Sequence, residues 1–279
     1  MKRYIISLDF DGTLRLDNME KECIDLLKSL PDNIISVINT GRGLGILFEK
    51  IKHYYPDYHE GFIDSMKYFI CNNGTDIFYK KGDKYDVLEE WYDHLKDQWD
   101  INLIMERLTP KAEKLEFDIY PETYNFKVLY YFHRTSFEEA DKAIEELKSV
   151  ISDLPIHLVH AESSQTPPPG LRKFVCEIFP KKAGKGKALI FLKEFMDKNN
   201  EPVEAIGCFG DDRNDIETIV DMPLKHNWWY GCLVGNSTDW IISRALKAKE
   251  KIDKQILIAP KDYPGPLGVD WLLKTLNWV

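Results

Sequence analysis

The stretch Arg3-Tyr4-Ile5-Ile6-Ser7-Leu8-Asp9-Phe10-Asp11-Gly12-Thr13 decides the fold. Its first six residues form a short, largely apolar run that stops abruptly at acidic residues and a glycine. A strand buried on both faces of a parallel sheet reads this way, passing its polar groups to the loop that follows. Working outward, Glu20–Leu30 sets Cys23, Leu26, Leu27 and Leu30 at helical spacing until Pro31 stops it. Ile34–Ile38 predicts a second buried strand, ended by Asn39-Thr40-Gly41, and Leu44–Tyr55 a second helix. Tyr68–Cys71 predicts a third strand, ending at Asn72-Asn73-Gly74. Strands alternating with helices imply an α/β fold with a doubly wound parallel sheet and right-handed crossovers.

The same alternation resumes late in the chain. Gly186–Lys198 reads as a helix, Ala205–Phe209 as a strand ending at Gly210-Asp211-Asp212, and Gly231–Val234 as another. Thr238–Lys251 is amphipathic, with Ser237 or Thr238 as its cap, and Ile256–Ile258 and Val269–Leu276 close the chain. Between the two halves the pattern changes. A strand over Phe126–Phe132, a helix over Phe137–Val150 and strands over Ile156–His160 and Lys173–Phe179 predict a mixed, antiparallel α+β unit. The loop Glu162–Gly170, with Pro167-Pro168-Pro169, reads as stiff and irregular. Residues 1–75 and 181–279 are therefore expected to form the core, and 76–180 a domain inserted into it.

Composition narrows the function. The 279 residues carry 37 Lys and Arg against 46 Asp and Glu, a formal charge of -9, which argues against a nucleic-acid partner. The aromatic content of 13% supplies enough surface to bury and excludes general disorder. No apolar stretch approaches the roughly 20 residues that span a bilayer, and no signal-peptide pattern follows the first strand, so no membrane association is expected. Five scattered cysteines without a CxxC predict reduced, buried thiols and a cytoplasmic protein. His157 and His160 are spaced HxxH, but no zinc-ligand set accompanies them.

In an open parallel sheet, ligands bind beyond the carboxyl ends of the strands. Those ends here carry Asp9 and Asp11, then Thr40 and Arg42, then Asn72 and Asn73, and finally Asp211, Asp212, Asn214 and Asp215. So many carboxylates at one sheet edge repel one another unless a cation sits among them, and oxygen ligands alone favour Mg²⁺. Such a site beside a threonine hydroxyl and a lysine suits phosphoryl transfer. One aspartate can attack phosphorus, and a second can protonate the leaving alcohol and then deprotonate water.

Asp9-Phe10-Asp11-Gly12-Thr13-Leu14 resembles the first motif, DxDGT, of the haloacid dehalogenase (HAD) superfamily. Thr40 resembles the second motif, Lys185 in Gly184-Lys185-Gly186 the third, and Gly210-Asp211-Asp212-Arg213-Asn214-Asp215 the fourth, all in family order. The insertion between motifs two and three is similar to a type-2 cap. With Thr40-Gly41-Arg42, Asn73-Gly74 and Lys185-Gly186 it points to subfamily IIB, which includes the trehalose- and sucrose-phosphate phosphatases and the phosphomannomutases. The resemblance implies Asp9 as nucleophile and Asp11 as general acid and base. It implies Thr40 and Lys185 as phosphoryl-binding groups, with Asn214 orienting them. Mg²⁺ would lie among Asp9, the Asp11 carbonyl, Asp211 and Asp215. Arg42 and Asn73, on core loops, are expected to line the substrate pocket with Thr40 and Lys185, and Arg172, Lys173, Glu177, His133 and Arg134 are the cap candidates.

The expected protein is a Mg²⁺-dependent phosphatase for a small phosphorylated metabolite, a sugar phosphate first among them, working as a monomer or small homo-oligomer. A sugar phosphomutase and a non-catalytic phosphate or Mg²⁺ sensor are the alternatives.

Overall fold

The structure, a computed structural model, describes residues 2–118, 122–162 and 167–279, and only the backbone of residues 122, 123, 161 and 162. Part of the loop expected over Glu162–Gly170, residues 163–166, lies outside the described residues. The chain divides into two compact units, Met1–Leu88 with Lys185–Val279, and Glu89–Gly184.

The first unit begins with β1 (Arg3–Leu8), α1 (Glu20–Ser29), β2 (Ile34–Asn39), α2 (Leu44–Tyr54), α3 (His59–Asp64), β3 (Tyr68–Cys71), β4 (Asp76–Lys81) and β5 (Lys84–Val87). The second contains α4 (Glu89–Leu95), α5 (Ile101–Lys114), β6 (Glu122–Tyr124), β7 (Lys127–Arg134), α6 (Phe137–Ser149), β8 (Ile156–Glu162) and β9 (Arg172–Pro180). The chain then returns to the first with α7 (Lys185–Lys198), β10 (Val203–Gly210), β11 (Trp229–Leu233), α8 (Asp239–Ile252), β12 (Ile256–Ile258) and α9 (Gly265–Thr275).

One eight-stranded sheet runs through the first unit in the order β12-β11-β10-β1-β2-β3-β4-β5, parallel from β12 to β3. The apolar opening run is its centre, with Ile5, Ile6 and Leu8 fully buried between β10 and β2. From β1 the chain winds one way through β2 and β3, and later the other way from β10 to β12. The crevice at that reversal is where such sheets bind ligands. The β1–β10 ladder extends one residue past the strand, Asp9 N donating to Phe209 O at 3.0 Å. Asp9 is thereby held on a rigid strand end.

The expected boundary at 75/76 is corrected by β4 and β5. They pair antiparallel onto β3, with Ile70 opposite Ile77 and Phe78 opposite Val87. Ile77 is fully buried, and Phe78 and Tyr85 pack against the core. The lysines around the Gly82 turn made this segment read as surface, but charged residues are what blunts an exposed sheet edge. At the other boundary, residues 181–184 belong with the second unit. There Lys181 N donates to Pro155 O, and Lys182 pairs with Asp97 at 2.6 Å.

In the second unit a four-stranded antiparallel sheet, β6-β7-β9-β8, carries the strand–helix–strand material expected from the sequence. Its core joins Val128, Phe132, Phe174 and Ile178 to Ala140, Ile144 and Leu147 of α6. It also includes α5, which polar residues and Pro110 hide in the sequence. Asp100 caps that helix, accepting from Asn102 N and Leu103 N, and Ile104, Leu108 and Ala112 give it one buried stripe. All five cysteines are unpaired and buried. Among the described residues no helix is long and apolar enough to cross a membrane.

Gly231 of β11 lies against the turn that follows Asp215: a Cβ there would stand 2.0 Å from Ile219 O. Gly231→Ala should therefore destabilise the first unit by about 1–3 kcal/mol, read as a lower urea midpoint. An unchanged midpoint would show that this backbone contact is not required.

Candidate active site

The loops beyond β1 and β10 and the last residue of β2 meet the first residue of α7. Lys185 is 4% exposed, and its Nζ donates to Asp9 Oδ1 and Asp215 Oδ1, each at 2.8 Å. Asp9 and Asp215 are themselves buried, at 5% and 3% exposed. Burial works against the lysine charge, yet Asp215 and Asp9 together hold its pKa above the ordinary lysine range. Burial pushes the Asp9 carboxyl up to about 8, opposed by Lys185 and reinforced by the charge of Asp215.

Asp211 completes the cluster, with ligand atoms of Asp9, Asp211 and Asp215 all within 4.8 Å of one another. Burial first, then the charge of Asp215, raises its pKa to about 7 against the Thr13 hydroxyl, which donates to Asp211 Oδ1 at 3.1 Å. Gly12 is required here. Its φ is 83°, and a Cβ would stand 2.2 Å from Asp211 Oδ2. Gly210 is constrained alike, because its Cβ would meet Asp215 Oδ2 at 2.4 Å. Asn236 ties this loop to α9, donating to Gly12 O at 2.8 Å and accepting from Gly265 N at 2.7 Å. Thr13 and Asn236 were not singled out from the sequence, since each acts through a partner distant in the chain.

Asp11 turns its carboxylate elsewhere. Arg42 Nε donates to its Oδ2 at 2.6 Å, and Arg15 approaches its Oδ1 at 3.4 Å. Arg42, expected among the substrate-binding residues, thus has the second aspartate of the motif as its partner. Arg15 escaped the sequence reading; its guanidinium lies 4.0 Å from the Tyr54 ring centroid. The Asp11 side chain is therefore not among the three carboxylates that converge.

Thr40 is 3% exposed, and its hydroxyl accepts from Arg42 N at 3.3 Å. The β2 and β3 loops are stitched together by Asn73 N to Thr40 O at 3.1 Å and Asn72 N to Arg42 O at 2.9 Å. Both asparagines adopt left-handed backbone conformations, φ 52° and 57°, which Asn tolerates better than most residues. Asn73 packs on Gly41, where a Cβ would meet its Oδ1 at 2.9 Å. Asn214 lies exposed on the short turn Arg213–Asp215, and among the described residues no hydrogen bond joins it to Thr40 or Lys185. Asp212 is also exposed and accepts from the Thr238 hydroxyl at 3.1 Å. Thr238 is the cap position of α8, but its side chain makes no capping hydrogen bond.

Several polar candidates of the second unit have partners within it. Glu177 pairs at 3.1 Å with Lys127, which is 1% exposed. Arg172 stacks on Phe137, Lys173 on Tyr131 and Arg134 on Phe132, and Arg134 also donates to Leu115 O. Among the HxxH pair, His160 Nε2 lies 2.9 Å from Asp141.

The donor chemistry of the carboxylate cluster fits a hard divalent cation. Three carboxylates face one ammonium, so the ionised cluster carries two negative charges in excess. Every ligand atom it offers is oxygen. A buried carboxylate–lysine pair at a sheet switch point, a second aspartate two residues along the same loop, and an acidic loop after β10 agree with a protein of the HAD superfamily. Residues 2–265 match the family described as sucrose-6F-phosphate phosphohydrolase, and the chain belongs to that family.

Sucrose-phosphatase 1 of Nicotiana tabacum is 25% identical over 261 residues, covering 89% of this chain and 54% of its own length. Probable sucrose-phosphatase 2 of Arabidopsis thaliana is 23% identical over 248 residues, covering 86% and 52%. The chain thus spans about half the length of the curated relatives it matches. The sucrose-phosphatase of Synechocystis sp., solved with sucrose and phosphate, shares the fold with a TM-score of 0.67 at 17% identity, over 99% of both chains.

Replacing Lys185 by Met leaves two buried carboxylates without their counter-charge. Lys185→Met is expected to lose about 3–5 kcal/mol in urea unfolding at neutral pH with EDTA present. Wild-type stability in that variant would remove Lys185 from its place as the charge partner of Asp9 and Asp215.

Proposed function

We propose that this chain is a Mg²⁺-dependent phosphatase that hydrolyses a sugar phosphate through an aspartyl-phosphate intermediate, with sucrose 6F-phosphate as its substrate. The observation that carries this reading is Asp9, buried and paired to Lys185, with Asp11 on the same loop. Membership of the sucrose-6F-phosphate phosphohydrolase family and the names of the curated relatives support the substrate.

The chemistry follows from the residues in turn. The Asp9 carboxylate attacks phosphorus, the bond from phosphorus to the sugar oxygen breaks, and Asp11 gives that oxygen its proton. Water then attacks the acyl-phosphate, Asp11 takes its proton, and the bond from phosphorus to Asp9 breaks, restoring the carboxylate. Lys185 and the Thr40 hydroxyl neutralise and position the phosphoryl oxygens. Arg42 and Arg15 hold the Asp11 side chain in place at the loop. Mg²⁺, held by Asp9, Asp211, Asp215 and the Asp11 carbonyl, would supply positive charge to the phosphoryl oxygens. The inserted unit, lying in the chain between Thr40 and Lys185, we assign as the cap that selects the leaving group.

Purified protein with Mg²⁺ should release phosphate from sucrose 6F-phosphate faster than from trehalose 6-phosphate or hexose phosphates. EDTA should stop the release and Mg²⁺ restore it. No release from any sugar phosphate would overturn the substrate class, and isomerised sugar phosphate without free phosphate would mark a mutase.

Asp9→Asn should lower kcat by about a thousandfold or more while leaving the far-UV spectrum unchanged, because an amide is a poor nucleophile. Appreciable turnover by that variant, after deamidation is excluded by mass spectrometry, would sink the role of Asp9.

A further inference from the structure

We propose that Asn39 and Glu217 are positioning residues for Lys185, gripping from two sides the single peptide unit that joins Lys185 to Gly186. The inference rests on the phosphoryl-binding role given to Lys185 above. Asn39 Nδ2 donates to the carbonyl oxygen of Lys185 at 3.2 Å. Glu217 Oε2 accepts from the N–H of Gly186 at 3.2 Å. Those two backbone groups belong to one planar amide, and a plane held at both edges cannot rotate about its own long axis. Its orientation sets the direction in which the Lys185 side chain leaves the backbone.

The need for such a grip comes from the start of α7. The first amides of a helix have no partner within it, and a Ser, Thr, Asp or Asn just before the helix normally supplies one. Here Ala183-Gly184 precede Lys185, and neither carries a side-chain acceptor. Glu217 supplies it from 31 residues away.

Glu217 reaches Gly186 because it opens a π-helical turn, Glu217–Asp221, in which Met222 N bonds back to Glu217 O at 2.9 Å. Single π turns recur at functional sites. This one lies flush on α7: a Cβ on Gly186 would stand 2.7 Å from Met222 Cε and 3.2 Å from Glu217 Cδ.

Asn39 is the polar end of β2, following Val37 and Ile38. It is 3% exposed at the end of β2, and its Nδ2 is shared between Lys185 O and the Ser7 hydroxyl, at 3.2 Å each. Only the amide nitrogen can donate to a carbonyl, so the orientation of the side chain is settled by chemistry. Its Oδ1 is buried and has no hydrogen-bond partner among the described residues. An unpaired buried oxygen is a cost that an apolar residue in β2 would avoid. Asn39 adjoins Thr40, and Glu217 follows Asp215 by two residues. The grip therefore joins the segments carrying Thr40 and Asp215 to the helix that carries Lys185.

The test combines two measurements on the full chain. Hydrogen exchange of the Gly186 amide, followed by NMR, needs no substrate. It should be about tenfold or more faster in Glu217→Ala, and close to wild type in Glu217→Gln, whose amide oxygen still accepts. Turnover of para-nitrophenyl phosphate with Mg²⁺ should show kcat lowered by about tenfold to a hundredfold in Glu217→Ala and in Asn39→Ala, with KM changed much less. The double variant should be little worse than the poorer single one, because both side chains hold the same amide. Glu217→Gln should recover most of kcat. Asn39→Ser replaces Asn39→Ala in the same cycle if the latter does not fold. Wild-type Gly186 exchange in Glu217→Ala, unaltered kcat in the folded single variants, or losses that multiply in the double variant would each overturn the proposal. Wild-type protein inactive on every phosphate ester would instead overturn the proposed function, leaving the exchange measurement to decide the grip.

Discussion

Lys185 Nζ lies 2.8 Å from both Asp9 and Asp215, and all three side chains are almost closed to water. A charge taken out of water is tolerated only where its partners are already in place. Three segments far apart in the chain must therefore arrive together: the end of β1, the start of α7 and the loop after β10. The parallel sheet makes that possible, because neighbouring strands β1 and β10 end at the same edge and α7 leads directly into β10. The Asp9 N to Phe209 O hydrogen bond prolongs the ladder into the site, so the carboxylate stands on the rigid end of the sheet.

Around that pair the site separates two kinds of carboxylate. Asp9, Asp211 and Asp215 converge, and burial together with their mutual repulsion raises Asp9 and Asp211 above the usual carboxylate range. Asp11, only two residues from Asp9, faces Arg42 and Arg15. The loop thus sends the two side chains of one motif into different surroundings, Asp9 against Lys185 and Asp11 against Arg42. Gly12 makes the separation possible: between the two aspartates and Thr13, no side chain can pass Asp211.

The core was legible because its signals are local and strong. Buried strands such as Ile34–Ile38 are largely apolar, and the groups that follow them are polar and chemically distinctive. The edge hairpin Asp76–Val87 was assigned to the insertion because Lys80, Lys81 and Lys84 hide a strand pair whose other faces pack on the core. The helix α5 was missed for a similar reason, its buried stripe being interrupted in appearance by polar residues and Pro110. Arg42 was legible as a site residue but not as the partner of Asp11, since a pairing across 31 positions leaves no trace in spacing.

Read alone, the sequence carries the α/β class, the order of the strands with polar ends, and Asp9, Asp11, Thr40, Lys185, Asp211 and Asp215 as candidate site residues. The strands follow from apolar runs and their breaks, the aspartates from the polar residues at those breaks, and Thr40 and Lys185 from the resemblance to the ordered HAD motifs. Which of these groups touch is set by packing in three dimensions. It paired Lys185 with Asp9 and Asp215, gave Asp11 to two arginines, left Asn214 on an exposed turn, and drew Asn39 and Glu217 to one peptide behind the lysine. Distances of about 3 Å between residues 30 to 200 positions apart are set by how strands and helices pack, and hydrogen bonds are sensitive to changes far smaller than any sequence pattern encodes.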